Sequence, residues 1–289
     1  MAGRTLTYFA SDVHLGLDVK DPAAREARFV AFLKAIPADR TDALYLLGDI
    51  WDFWYEYRDV VPKGYVRVFS ALMDLMDAGV RVYFFPGNHD IWCYSYFEEM
   101  GMEILSQPYS VEIGGKVFCL GHGDGLGPGQ KAYKLMRWGF HNRVCQWLFS
   151  LLHPWLAFRL GKGWSKNSRL AKNEEYVFRG QEEPLWQFAE AFASGPAASP
   201  ISPAASPITP ADSPKSPADS PKSPAGSPSP SAESPSAGGH KVDEFIFGHY
   251  HCKVDTILPC GSGFHILKDW MDGSDALVFD SESGSLSRC

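Results

Sequence analysis

The sequence predicts a mixed α/β (α+β) fold in which two facing mixed β-sheets are flanked by helices and carry a helical lid. Three observations lead there. Between residues 5 and 90, strand-like and helix-like segments alternate, the pattern of an α/β core. After residue 105 the pattern changes to short strands and Gly-rich turns, which suits two facing sheets better than one parallel sheet. Five predicted strands end in short segments bearing Asp, Asn or His, four of them containing Gly, so their side chains fall at sheet edges and can converge on one pocket.

Taken in order, residues 5–11 read as a strand. Residues 22–36 place Phe29, Val30, Phe32, Leu33 and Ile36 on one side of a helix. Residues 43–47 form a buried strand running into Gly48-Asp49. Residues 65–78 form a second helix, closed by Gly79. Residues 80–85 are the next strand and lead into Pro86-Gly87-Asn88-His89-Asp90. Residues 109–113 and 116–120 flank Gly114-Gly115 as a hairpin. Later strands fall at 245–247, 253–258, 263–267 and 276–280. Between them, residues 126–193 are mostly helical and rich in Trp, Phe and Leu. Residues 194–239 are a Pro/Ser/Ala tract with a repeated Ala-Asp-Ser-Pro-Lys-Ser-Pro unit. Such a composition buries too little apolar surface to order itself, so a disordered insertion without chemistry is expected. The domain plan is therefore a core of residues 1–124 and 240–289, a lid of 125–193 and the tract of 194–239.

A chain of 289 residues with 45% hydrophobic content is globular. No run of 18 apolar residues signals a membrane span, and the N-terminus lacks the apolar core of a signal peptide. The six Cys contain no Cys-x-x-Cys pair, so neither a zinc knuckle nor a disulfide framework is indicated and a reducing cytoplasm is expected. The net charge of −7 is uneven. Residues 125–173 hold nine Lys or Arg and no Asp or Glu, leaving 18 basic against 34 acidic residues elsewhere. A basic block on an acidic body points to a local anionic partner rather than to nucleic acid, and no obligate protein partner is indicated.

The five strand-end segments are Asp12-Val13-His14, Gly48-Asp49, Gly87-Asn88-His89-Asp90, Gly121-His122-Gly123-Asp124 and Gly248-His249-Tyr250-His251. Asp, Asn and His without Cys suit divalent Mn, Fe or Zn. Two such ions about 3.5–4 Å apart acidify a water and offset phosphoryl charge in ester hydrolysis. His141, His153, His240 and His265 fall outside the pattern and read as structural or surface residues.

In this order and spacing, the motifs resemble those of the calcineurin-like metallophosphoesterase superfamily over residues 8–124 and 244–270. The resemblance implies that Asp12, His14 and His251 bind one cation, that Asn88, His122 and His249 bind the other, and that Asp49 bridges them. Mn is the expected metal, with Fe or Zn as alternatives. It casts His89 as the group that protonates the leaving oxygen or holds the phosphate, and Asp52 as the residue that orients it. Asp90 and Asp124 read as groups that fix the ligand side chains.

The whole chain is also similar to the UDP-2,3-diacylglucosamine diphosphatases of lipid A synthesis. The residues that carry this are Ser11-Asp12-Val13-His14-Leu15, Gly48-Asp49-Ile50-Trp51-Asp52-Phe53-Trp54, His122-Gly123-Asp124-Gly125-Leu126 and Asp269-Trp270. That resemblance implies a lid helix whose Ser165, Arg169 and Lys172 contact substrate, together with Asn88, His89 and Gln130. It implies a lipid-linked UDP-sugar substrate and a cytoplasmic enzyme peripheral to the inner membrane, with the greasy, basic stretch 151–159 at the interface. The chain departs from the family at His89, where Arg is usual, at Gln130, where Asp is usual, and at Tyr250, where Thr is usual. Two alternatives stand beside this reading: a related phosphoesterase acting on a soluble nucleotide or phosphoprotein, and a metal-free binding scaffold on the same fold.

Overall fold

The computed structural model describes residues 3–171, 176–195 and 241–289, without the side chains of 166–171. Lys172 and residues 196–239 of the predicted tract therefore lie outside the described residues, as does the side chain of Arg169. The elements run β1 Leu6–Ala10, α1 Pro22–Ala35, β2 Thr41–Leu46, α2 Val66–Asp77, β3 Arg81–Phe84, α3 Tyr96–Glu99, β4 Glu103–Ile104, β5 Tyr109–Ile113 and β6 Lys116–Leu120. They continue with α4 Lys131–His141, α5 Arg143–Ser150, α6 Pro154–Ala171, α7 Pro184–Ser194, β7 Glu244–Phe247, β8 Val254–Ile257, β9 Gly263–Ile266, β10 Ala276–Asp280 and β11 Ser285–Arg288.

Two mixed sheets result, as the sequence predicts. One has the order β11-β10-β1-β2-β3-β4 and the other β5-β6-β7-β9-β8. Strands β1, β2 and β3 are parallel, as are β6 and β7. Alternation along each strand sorts its side chains into layers. Phe9, Tyr45, Tyr83 and Phe118 fill the space between the sheets with Leu120, Ile246 and Phe279. The rings of Phe9, Tyr45 and Tyr83 stack in sequence across β1, β2 and β3, at 5.5 and 4.6 Å. Burying rings of this size contributes about 1.5–3 kcal/mol each. On the other face of the first sheet, Leu44, Leu46 and Phe84 meet Phe29 and Leu33 of α1 and Val68 and Leu72 of α2. Asp21 starts α1 by accepting from the Ala24 amide, with Pro22 at the first helical position.

Helix α7 falls at the end of the segment expected to form the lid. Its Leu185, Trp186 and Ala189 are buried against Val117, Phe245, Phe247 and Phe264 on the outer face of the second sheet. The segment predicted as the end of the lid is thus a layer of the core, because three apolar side chains on one helical face find a sheet to cover. The sequence reading also passes over α3, β4 and β11, whose two to four residues are too few to show a period.

Candidate metal centre

The turns that follow β1, β2, β3, β6 and β7 meet at one edge. Asp12, His14, Asp49 and His122 are buried there, while His89 and His251 are partly exposed. Asp49 Oδ2 lies 3.3 Å from His122 Nε2, 3.8 Å from His14 Nε2 and 4.0 Å from His89 Nε2. Asp12 Oδ1 lies 3.6 Å from His14 Nε2 and 3.5 Å from His251 Nδ1. Asn88 Oδ1 is 3.3 Å from His122 Nε2, and the rings of His122 and His249 are 5.1 Å apart. All seven predicted ligands are therefore in one cluster. Ligands about 2.1 Å from a shared cation sit roughly 3–4 Å from one another, which is the spacing seen.

The hydrogen bonds show which atoms are reserved. Asp12 Oδ2 accepts from Ser11 Oγ (2.6 Å) and from the His249 amide (2.9 Å), and Asp49 Oδ1 accepts from the His89 amide (2.9 Å). The other oxygen of each carboxylate, Asp12 Oδ1 and Asp49 Oδ2, is buried with no hydrogen-bond partner among the described residues, as are His14 Nε2 and His249 Nδ1. His122 Nδ1 donates to the Leu47 carbonyl at 2.9 Å, which turns the Nε2 lone pair toward Asp49. Buried polar atoms without partners are rare and call for an explanation. Their convergence fits divalent cations: each carboxylate has one oxygen pinned and one available.

The backbone carries a second sign. Asp12, His14, Asp49, His249 and His251 have φ of 54, 50, 54, 71 and 55°, and they are five of the eight non-glycine residues with positive φ among the described residues. This left-handed conformation costs about 1–3 kcal/mol at each position and collects at functional sites. Gly87 and Gly248 are required for close approach: a Cβ on the first would overlap Asp49 and on the second would overlap Ser11 and Asp12. That is why the motifs read Gly-Asn and Gly-His.

Electrostatics follow from this crowding. Burial works against charge on Asp49, yet His122, His89 and His14 around it hold its carboxylate well below the usual range. Burial likewise opposes charge on Asp12, and His251 and His14 keep it low. Burial and the neighbouring His122 push His249 down to about 4, so its imidazole is neutral at pH 7 and offers a lone pair. Asp90 serves the backbone, accepting from the amides of Gly87 (2.7 Å), Asp49 (3.2 Å), Ile50 (2.8 Å) and Trp51 (3.2 Å). It thereby fixes the turns of both Asp49 and Asn88.

The family model for calcineurin-like phosphoesterases matches residues 6–191. The chain belongs to the calcineurin-like phosphoesterases. Across 280 residues it is 31% identical to a UDP-2,3-diacylglucosamine hydrolase of Porphyromonas gingivalis, covering 96% of this chain and 95% of that protein. It is 37% identical over 171 residues to a UDP-2,3-diacylglucosamine hydrolase of Proteus mirabilis, covering 59% and 68% of the two chains. Among solved structures, a dimetal phosphatase from Danio rerio aligns with 12% identity and a TM-score of 0.43, covering 95% of this chain and 92% of that one. As a member of this family the protein is a metal-dependent hydrolase.

In this phosphoesterase, His89, Asp52 and Ser165 are held by the following contacts. His89 Nδ1 donates to the backbone carbonyl of Asp52 at 2.9 Å, whereas the Asp52 carboxylate is 3.8 Å away. Asp52 thus orients His89 through its main chain. Its carboxylate instead lies 3.4 Å from His14 Nδ1 and accepts from Ser165 Oγ at 2.6 Å. Ser165, expected to contact substrate, is 1% exposed and ties α6 to the core. A hydroxyl facing a buried carboxylate satisfies that oxygen before it can serve a ligand. Gln130 begins α4 with φ 52° and makes no side-chain cap bond. Among the described residues, no hydrogen bond joins its side chain to the cluster.

The docking of the lid was not visible in the sequence. Trp92 Nε1 donates to the Phe140 carbonyl (2.9 Å), and its ring lies 4.8 Å from Phe149 and 5.4 Å from Phe140. Tyr55 and Tyr57 donate to the carbonyls of Gln146 (3.0 Å) and Leu152 (2.9 Å). Gly161 lets α6 lie on Phe53, whose ring a Cβ at that position would overlap. The signal the sequence offers for it is the aromatic run Phe53-Trp54-Tyr55 beside Asp52.

Proposed function

We propose that this phosphoesterase hydrolyses the pyrophosphate of UDP-2,3-diacylglucosamine to UMP and 2,3-diacylglucosamine 1-phosphate, at the cytoplasmic face of the inner membrane and without spanning it. The observation that carries the chemistry is the set of buried, partnerless oxygen and nitrogen atoms of Asp12, His14, Asp49 and His249 at one edge of the sheets, with ligand atoms of Asp12, His14 and His251, and of Asp12, Asp49 and His122, close enough to share a cation. Asp12, His14 and His251 would hold one divalent cation, Asn88, His122 and His249 the other, with Asp49 between them. When bound, such a pair acidifies water and neutralises phosphoryl oxygens, and Mn suits the ligand set. Water adds to the α-phosphorus, the bond to the bridging oxygen breaks, and the sugar 1-phosphate leaves. His89, anchored at Nδ1 by the Asp52 carbonyl, turns Nε2 toward Asp49 and can hold a phosphoryl oxygen or supply charge beside the leaving group.

The substrate reading is supported by the names of the relatives and by the lid. Trp138, Trp147, Trp155 and Trp164 are 60–67% exposed, with Leu135, Leu148, Leu151 and Leu160 beside them. Arg159 lies over the Trp155 ring at 5.4 Å. Apolar rings edged by cations match acyl chains beneath an anionic head. Among the described residues, no helix is long and apolar enough to cross a membrane. Incubation with the diacylated UDP-sugar in detergent and Mn2+, followed by mass spectrometry, should yield UMP and the sugar 1-phosphate. Hydrolysis of soluble dinucleoside polyphosphates with no turnover of the lipid would reject the proposal.

A further inference from the structure

We propose that Arg137, on lid helix α4, is a positioning residue for the metal centre, acting through Asp124 on the half formed by His122 and His249. The inference rests on the two-cation reading above. Asp124 follows His122 by two residues and is 1% exposed. Its Oδ2 accepts from Arg137 Nε at 2.7 Å and from Tyr133 OH at 3.1 Å, and its Oδ1 accepts from Gln107 Nε2 at 2.6 Å. Gln107 brackets the same turn from the core. Its Nε2 also donates to the Asp124 carbonyl (3.0 Å), and its Oε1 accepts from the Gly123 amide (2.7 Å).

The turn is coupled to both imidazoles. The His122 carbonyl accepts from the Gly248 amide at 3.0 Å, which joins the His122 turn to the residue before His249. The Tyr133 ring is 6.0 Å from that of His249. Arg137 also lies across Gly125, whose added Cβ would sit 3.3 Å from Arg137 Cδ. The cation of Arg137 is therefore stacked on the turn it neutralises. Without the guanidinium the buried Asp124 carboxylate loses the partner that holds Oδ2, and any shift of Asp124 displaces the chain two residues from His122.

The two halves of the site are held differently. Asp12, in the first half, is gripped by Ser11 and the His249 amide, both of the core. The lid approaches that half through α6, where Ser165 meets Asp52 beside His14. Helix α4 meets the second half through Arg137 and Tyr133. Loss of Arg137 should thus loosen one cation and spare the other.

The test is calorimetric titration of metal-stripped full-length protein with Mn2+. Wild type should bind two cations, and a wild type that binds none would refute the metal reading itself. Arg137→Met keeps the stem over Gly125 and removes charge and donor. It should leave one cation at wild-type affinity and weaken the other by roughly 10–100-fold, the usual effect of losing a group that orients a ligand. Gln107→Glu, which sets a second carboxylate against Asp124, should give the same one-sided loss. Lys134→Met, on the same helix with Nζ on the Gly127 carbonyl at 2.6 Å, should leave both cations unchanged. Equal weakening of both cations in Arg137→Met, no weakening of either, or an equal effect from Lys134→Met would overturn the proposal.

Discussion

At the metal edge, Asp12, His14, Asp49 and His122 are buried and pinned, whereas α4 and α5 of the lid contain no buried residue at all. At that edge backbone amides and a serine hydroxyl hold one oxygen of Asp12 and one of Asp49, and the Leu47 carbonyl holds His122, before any cation arrives. Among the described residues the lid docks through contacts that include Trp92, Tyr55, Tyr57, the Phe53–Gly161 crossing, Ser165, Tyr133 and Arg137. Its Trp138, Trp147, Trp155 and Trp164 face outward. A buried ligand set can bear positive φ and partnerless polar atoms because the surrounding sheets hold the chain in place. A lid docked through a handful of contacts can present apolar surface only because those contacts carry its position.

If that contrast holds, mutations in the two regions should separate chemistry from substrate handling. The largest effect is expected from Asp49→Ala. Losing the shared ligand should lower divalent-dependent hydrolysis of a simple phosphodiester by about 1,000-fold or more, roughly 4 kcal/mol in the barrier. Far-UV circular dichroism should be unchanged, and a variant with the wild-type rate would remove Asp49 from its bridging role. A smaller effect is expected from Gly161→Val, which drives a branched side chain into Phe53. Overpacking of this kind costs about 1–3 kcal/mol. Here it should lift α6, lower kcat/KM for the lipid substrate by about 10-fold, speed proteolysis within α4–α6 and leave the simple phosphodiester largely unaffected. Equal loss on both substrates would mean that the seating of α6 also sets the metal centre, through Ser165 and Asp52. The smallest effect on stability is expected from Trp147→Ser. An exposed substitution should shift stability by no more than about 0.5 kcal/mol, while weakening sedimentation with anionic vesicles several-fold. A clear drop in melting temperature would show that the Trp147 ring is packed rather than presented.

Much of the fold could be read directly. The hairpin of β5 and β6 has the predicted bounds, 109–113 and 116–120, because Gly114-Gly115 dictates a tight turn. The strand ends carrying Asp12, Asp49, Asn88, His122 and His249 were also legible, since a metal-binding residue type directly after an apolar run, beside a glycine at all but Asp12, recurs five times in order. The placement of α7 was not. Its Leu185, Trp186 and Ala189 show an apolar face, but a face does not say whether a lid or a sheet covers it. The partner of Ser165 was equally hidden. Spacing along α6 gave its helical side, while its hydrogen bond to Asp52 depends on where α6 crosses the core.

Local chemistry thus determined which residues could bind cations, where strands stop and where the basic, greasy segment begins, because glycine permissiveness, apolar periodicity and ligand preference act within a few neighbours. Tertiary structure alone decided that Asp12 Oδ1 and Asp49 Oδ2 stay free while their sister oxygens are engaged. It also decided that Asp52 turns its carboxylate to His14 and Ser165, and that Arg137 reaches Asp124. Those outcomes depend on distances between segments far apart in the chain, and such distances are set only when the sheets close on their shared core.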